Sequence, residues 1–196
     1  MRAFCPCLLA LSAVLASSHL SEAAVIDFEQ FSDGDILAGQ VPGLTFSNTT
    51  VLSAGISLNE FEFPPHSGMN VVSDNGGPIS ISFSNPVSIF SGYFTYAAAL
   101  TLQAFNSSGM QVGSVQSTFN SNDALFGDAG SSPNELLRLA SATGIFSVTI
   151  TGDPAGGSFV LDDITFQTAD VPETQTGLLF LFGLGGLATV RKKHPR

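Results

Sequence analysis

Ile79-Ser80-Ile81-Ser82-Phe83 alternates apolar and hydroxyl residues without a break. A period of two marks a strand with one face buried and the other wet. Leu100-Thr101-Leu102-Gln103-Ala104-Phe105 repeats the pattern, and Asn106-Ser107-Ser108-Gly109 then supplies a hairpin turn before Met110-Gln111-Val112-Gly113-Ser114-Val115. Upstream, Val25–Phe31 puts Ile26 and Phe28 on one face and Asp27 and Glu29 on the other. Downstream, Ile145–Ile150 and Phe159–Phe166 read the same way, while Asn134–Ala140 fits either a helical turn or a strand. Tyr93 and Tyr96, three apart in one such run, point to opposite faces. Roughly eight to ten short strands in about 145 residues predict an all-β, two-sheet antiparallel β-sandwich of the jelly-roll type.

Composition narrows what such a domain does. The chain has 196 residues, 44% hydrophobic and 11% charged, with a formal charge of −10. Between Ala24 and Asp170 every acidic residue faces a single base, Arg138, and there is no Lys. Neutralising a phosphate backbone requires clustered Lys and Arg, so nucleic acid is excluded as a partner. The only cysteines, Cys5 and Cys7, lie in the N-terminal apolar run and leave the body without a disulfide or a thiolate metal site.

Both ends read as targeting segments. Arg2, the apolar run Cys5–Ala16 and the small residues of Ser21-Glu22-Ala23 predict a signal helix over 1–23, cut by signal peptidase after Ala23. The predicted domain occupies 24–168, and 169–196 forms a tail. Gly177–Val190 carries no charge and ends at Arg191, Lys192 and Lys193, the pattern of a transmembrane helix halted by a basic stop-transfer cluster. Fourteen helical residues reach only about 21 Å, short of a hydrocarbon core of about 30 Å.

Val171, Pro172, Glu173 and Thr174, the Gly-rich apolar segment and the basic end together resemble the PEP-CTERM sorting tail, with Thr174 in place of the second Pro. That resemblance implies processing by an exosortase-like membrane transpeptidase and delivery to the cell surface or an exopolysaccharide or biofilm matrix. Val171–Thr174 is also similar to the Leu-Pro-x-Thr-Gly signal of Gram-positive sortases, differing at two of its positions. The first resemblance implies secretion across the inner membrane and a transient anchor; both imply sorting to the surface and differ in the enzyme and the final attachment.

Three segments of the body carry a second resemblance: Phe28-Glu29, Pro65-His66-Ser67-Gly68 and Leu161-Asp162-Asp163-Ile164 look like carbohydrate-binding-module jelly rolls. In those modules acids on the opening and closing strands often share a structural calcium. The resemblance therefore makes Asp27, Glu29, Asp162 and Asp163 the expected metal ligands. Clustered carboxylates repel unless a cation or a hydrogen donor meets them, and Ca²⁺ takes six to eight oxygens. A polysaccharide ligand would favour aromatic contacts, for which Phe61, Phe63 and Tyr93 are the candidates.

Catalysis has little to build on. His66 is the body's one histidine, and no Gly-x-Ser-x-Gly elbow occurs. The expectation is a non-enzymatic surface protein; a carbohydrate-binding module is the alternative, and a small polysaccharide hydrolase working through paired acids the second alternative.

Overall fold

The computed structural model describes residues 24–169; the predicted signal helix, sorting motif and transmembrane segment lie outside them. Ten strands account for the regular structure: β1 Ala24–Ile26, β2 Ile36–Leu37, β3 Leu44–Ser47, β4 Thr49–Ser53, β5 Asn70–Asp74, β6 Ile79–Tyr96, β7 Thr101–Phe105, β8 Gln111–Gln116, β9 Glu135–Thr151 and β10 Phe159–Thr168. There is no helix among the described residues. Every strand pair is antiparallel.

The strands form one hydrogen-bonded path, β2-β4-β5-β10-β6-β9-β7-β8, with β1 added to β10 and β3 to β6. Two long strands fold that path into layers. The first part of β6 pairs with β3 and with the end of β9, whereas its second part pairs with β10 and with the start of β9. The register of β6 against β9 breaks between Ser82 and Val87 and again before Ile89. Opposite this break Gly144 takes a φ of +83°, and a Cβ there would stand 3.0 Å from the Pro86 ring. Pro86 has no N–H for the ladder, so a bend at this point costs little pairing.

The first layer therefore runs β3–β6–β9–β7–β8 and the second β9–β6–β10–β5–β4–β2. Phe46, Ile81, Leu102 and Ile150 of the first layer share one core with Phe94, Leu139 and Leu161 of the second. The expected sandwich is present as an all-β, antiparallel arrangement whose layers exchange their two longest strands. The ambiguous segment 134–140 is the start of β9, with Leu137 and Leu139 inward and Leu136 and Arg138 outward. The predicted opening strand is shorter than expected. It leaves β10 after Ile26, and Phe28 takes a φ of +61° to drop its ring into the core.

A contrast of charge follows the layers. From Asn75 to Asn122 there is no charged residue, and β3 and the last turn-free stretch of β9, 145–151, also have none. All acids of the described residues lie on the second layer or its loops.

Candidate functional site

The outer face of the second layer is covered by the loop of residues 54–69, between β4 and β5. Leu58 and the partly buried Phe63 pack on Val71 and Val160, a small second core outside the sheet. This explains why β5 is buried along its whole length. Apolar contact is minor, however, and carboxylates do most of the fastening. Glu29 Oε1 accepts the amides of Met69 and Asn70 at 2.9 and 2.7 Å. Asp162 Oδ2 accepts those of His66 and Ser67, both at 2.9 Å, and its Oδ1 accepts the Asp163 amide at 2.7 Å. Asp163 takes the Ser67 hydroxyl at 2.9 Å and His66 Nδ1 at 2.6 Å. Asp33 binds the Ser53 amide and the Ser57 hydroxyl.

Both neighbouring acids of β10 reach one loop because the strand bulges there. Asp163 adopts a φ of +45°, and the register against β6 shifts between Asp162 and Thr165. An inserted residue lets two consecutive side chains serve the same side. The His66 ring then lies flat on Tyr93, centroids 3.4 Å apart at 9°. Gly68 is required where it stands: its φ is +53°, and a Cβ would meet the Glu29 carboxylate at 2.3 Å.

A second loop, residues 117–134, joins the first. The Ala124 amide donates to Glu62 O at 2.9 Å, and Asn134 Nδ2 reaches the carbonyls of Pro64 and Pro65. Two buried side chains shape it. Asn122 receives the Tyr96 amide and donates to Phe94 O and Ser132 O. Asp123 Oδ1 accepts the amides of Leu125 and Phe126. At its base Tyr96 donates to Glu135, which also accepts from Thr118. The outcome is a held surface of two joined loops from which Phe61 and Phe126 project at 75% and 77% exposure, with Leu125 beside Phe126.

Burial sets the electrostatics. It pushes the Asp162 carboxyl up to about 6 against the pull of the Ser67 amide, and the charge of Asp163 adds to the rise. Burial also pushes up Asp123, but the Ser121 hydroxyl and the amides of Phe126 and Leu125 outweigh it and hold that carboxyl below its ordinary value. Tyr96 is raised to about 12 by burial and by its bond to Glu135. Asp74 is raised by burial; its Oδ1 takes the Gly157 amide while Oδ2 has no partner among the described residues.

Of the residues singled out from sequence, Glu29, Asp162 and Asp163 do converge, on loop 66–70. Asp27 stays apart and exposed, and its Oδ1 accepts the Glu29 amide. The donors these acids face are N–H and O–H groups. Among the described residues no group of three or more His, Cys, Asp or Glu could hold a metal ion. The calcium ligand set expected from the resemblance is therefore not one that fits a cation here. Phe61 is exposed as a ligand contact requires, while Phe63 is largely spent in the small outer core. Tyr93 faces outward under His66, and Tyr96 is fully buried. Phe126, Asn122 and Asp123 carried no sequence signal that separated them from an ordinary loop.

No family model and no curated protein sequence matches this chain. Among solved structures it is similar to the K2 cleaved adhesin domain of Lys-gingipain, with 15% identity, a TM-score of 0.47 and coverage of 74% of this chain and 99% of that one. A DUF4465 family protein from Bacteroides caccae is similar at 11% identity and a TM-score of 0.49, covering 75% of this chain and 99% of that one. A family 29 carbohydrate-binding module is similar at 10% identity and a TM-score of 0.41, covering 80% and 100%.

Proposed function

We propose that this chain is a surface-displayed, non-catalytic binding protein whose joined loops hold a glycan of the cell envelope or of an exopolysaccharide matrix. One observation carries the reading: two Phe side chains stand about three-quarters exposed on loops held by buried Asn122, Asp123 and Asp162 and by the partly buried Asp163. Exposed rings cost solubility, and pre-ordering the backbone beneath them lowers the entropy lost on binding. The resemblance to carbohydrate-binding jelly rolls, made by the three segments that meet at this loop, supports a sugar as the partner. Flat aromatic faces stack on the C–H faces of sugar rings, and the acid-rich surroundings disfavour an anionic partner.

Delivery belongs to the same proposal. The signal segment would route the chain across the inner membrane, and the Val171–Thr174 motif with Arg191–Lys193 would present the tail to an exosortase-like transpeptidase. In that setting the jelly-roll body, without enzymatic turnover, is the displayed part. Measuring binding of the purified protein to a panel of polysaccharides tests the reading. Phe61→Ala with Phe126→Ala should weaken any binding found by about tenfold or more while the melting temperature holds, since exposed side chains contribute little to folding. Full binding by the double variant would refute the loop surface.

A further inference from the structure

The connection between β5 and β6 reads Asn75-Gly76-Gly77-Pro78 and holds the one Asn-Gly pair of the chain. Three uncommitted groups meet there. Asn75 is exposed, and its side-chain amide has no hydrogen bond among the described residues; its backbone N–H donates to Asn48 O at 3.3 Å. The Gly76 N–H likewise has no acceptor among them. Asp74 is 7% exposed, and its Oδ1 accepts the Gly157 amide at 2.9 Å, whereas Oδ2 is buried without a partner. A Cβ built on Gly156 would stand 2.5 Å from Gly76 N and 3.0 Å from Asp74 Oδ2. The free amide and the free carboxylate oxygen therefore border one small space, which stays open because residue 156 is glycine. Burial also pushes the Asp74 carboxyl up, which makes its carboxylate a better proton acceptor.

We propose that Asn75 is a self-modification site: the chain closes a succinimide ring there, with Asp74 as the base, and water opens it to aspartate or isoaspartate. The Gly76 nitrogen forms a bond to Asn75 Cγ, and its proton passes to Asp74 Oδ2. The bond from Cγ to the side-chain nitrogen breaks. Asp74 returns the proton to the departing NH₂ group, which leaves as ammonia. Water then adds to one of the two ring carbonyls. Addition at Cγ restores the main chain with aspartate at 75, and addition at the main-chain carbonyl leaves the backbone running through the side chain. Glycine at 76 leaves the attacking nitrogen unshielded by a side chain. The product alters a joint of the fold, because Asn48 Nδ2 holds Gly77 O at 2.8 Å and Asn48 O takes the Asn75 amide. Isoaspartate inserts one carbon into that run, and either product sets a second carboxylate beside Asp74, where like charges repel. The clasp of Asp74 on Gly157 loosens as the protein ages.

The test ages the full-length protein in warm neutral buffer made with heavy-oxygen water and follows its peptides by mass spectrometry. Asn75 should convert faster than the exposed Asn59 and Asn120, with isoaspartate among the products and one heavy oxygen taken up. Asp74→Asn keeps an oxygen for the Gly157 amide but removes the base, and should slow the conversion about a hundredfold. In denaturant the same substitution should leave the rate unchanged, because the fold no longer sets Asp74 against the amide. Asn75→Gln enlarges the ring that must close and should stop the reaction with the fresh protein's melting temperature unaltered. Aged protein should melt lower than fresh protein, and aged Asn75→Gln should not. Conversion of Asn75 more slowly in the native than in the denatured chain would overturn the proposal, since the fold would then protect the site. Equal native rates with and without Asp74→Asn would overturn it as well, and equal melts of aged and fresh protein would overturn the loosened clasp.

Discussion

The two layers share a core but are stabilised by different means. In the second layer carboxylates and buried amides fasten long loops over the sheet, one acceptor gathering two or three backbone N–H groups. In the first layer β7 and β8 are joined by a short turn, Asn106–Gly109, where Asn106 Oδ1 accepts the amides of Ser108 and Met110. Nothing charged is needed there. With Arg138 the only Lys or Arg among the described residues, the acids turn mainly to backbone N–H groups and hydroxyls, and Asp163 to His66. Charge among the described residues is used largely to hold irregular chain, and the open face of the first layer is left neutral.

Asn122→Ala should strike that contrast hardest. It leaves the Tyr96 amide and two carbonyls unpaired inside the protein, and a loss of about 2–4 kcal/mol is expected in denaturant melts. Ser82→Ala, on the open face of the first layer, should move stability by no more than about 0.5 kcal/mol. Equal losses would break the comparison.

The next effect is a pH dependence confined to the acid-fastened layer. Asp162 holds its proton up to about 6 in the folded chain, above the 3.8 of the free group. Between those values the folded state carries the extra proton, so stability should fall as pH rises from about 4 to about 6 and level off above. Asp74, also raised by burial, adds in the same direction. Asp123 acts oppositely: its contribution is present above its ordinary value and is lost as pH falls through the depressed one. Melts of Asp162→Asn across this range should show a flattened slope. An unaltered slope would mean that Asp162 is not the titrating group.

The smallest expected effect is that of calcium. Since Glu29, Asp162 and Asp163 are engaged by N–H and O–H donors, melts in Ca²⁺ and in chelator should coincide. A drop of several degrees in chelator, abolished by Asp163→Asn, would sharpen the picture by showing a cation in the latch after all.

The regular layer was legible in the sequence because alternation is local. Ile79–Phe83 and Leu100–Phe105 each carry their own period, and Asn106–Gly109 forms the predicted turn. The opposite placement of Tyr93 and Tyr96 follows from the same period. β6 and β9 were less legible. The alternation of Ile79–Phe83 ends before Asn85-Pro86, yet the strand bends there and continues, a continuation decided by partners far along the chain. Asn134–Ala140 fits two periods, and only pairing with β6 selects one. The loop surface was least legible. The bond of His66 to Asp163 spans 97 residues, and no local pattern shows which of many acids will meet an amide instead of water. Of Asp27, Glu29, Asp162 and Asp163, the last three meet one loop through its backbone N–H groups and side chains, an encounter that nothing local to each acid displays.

The place of β10 in the sheet has a mechanical consequence. This strand is flanked by β6 on one side and by β5 and β1 on the other, and the chain leaves the described fold from its end. Any tether beyond Ala169 therefore pulls along a strand gripped on both sides, so that load directed through the loops or the first layer would be met in shear, by many hydrogen bonds together. Load applied between residue 24 and that tether would instead peel β1 from β10 one pair at a time, starting at Ala24 and Phe166. A domain held by its tail and gripped through its faces is loaded in its strong direction, and its opening strand is the part free to give way first.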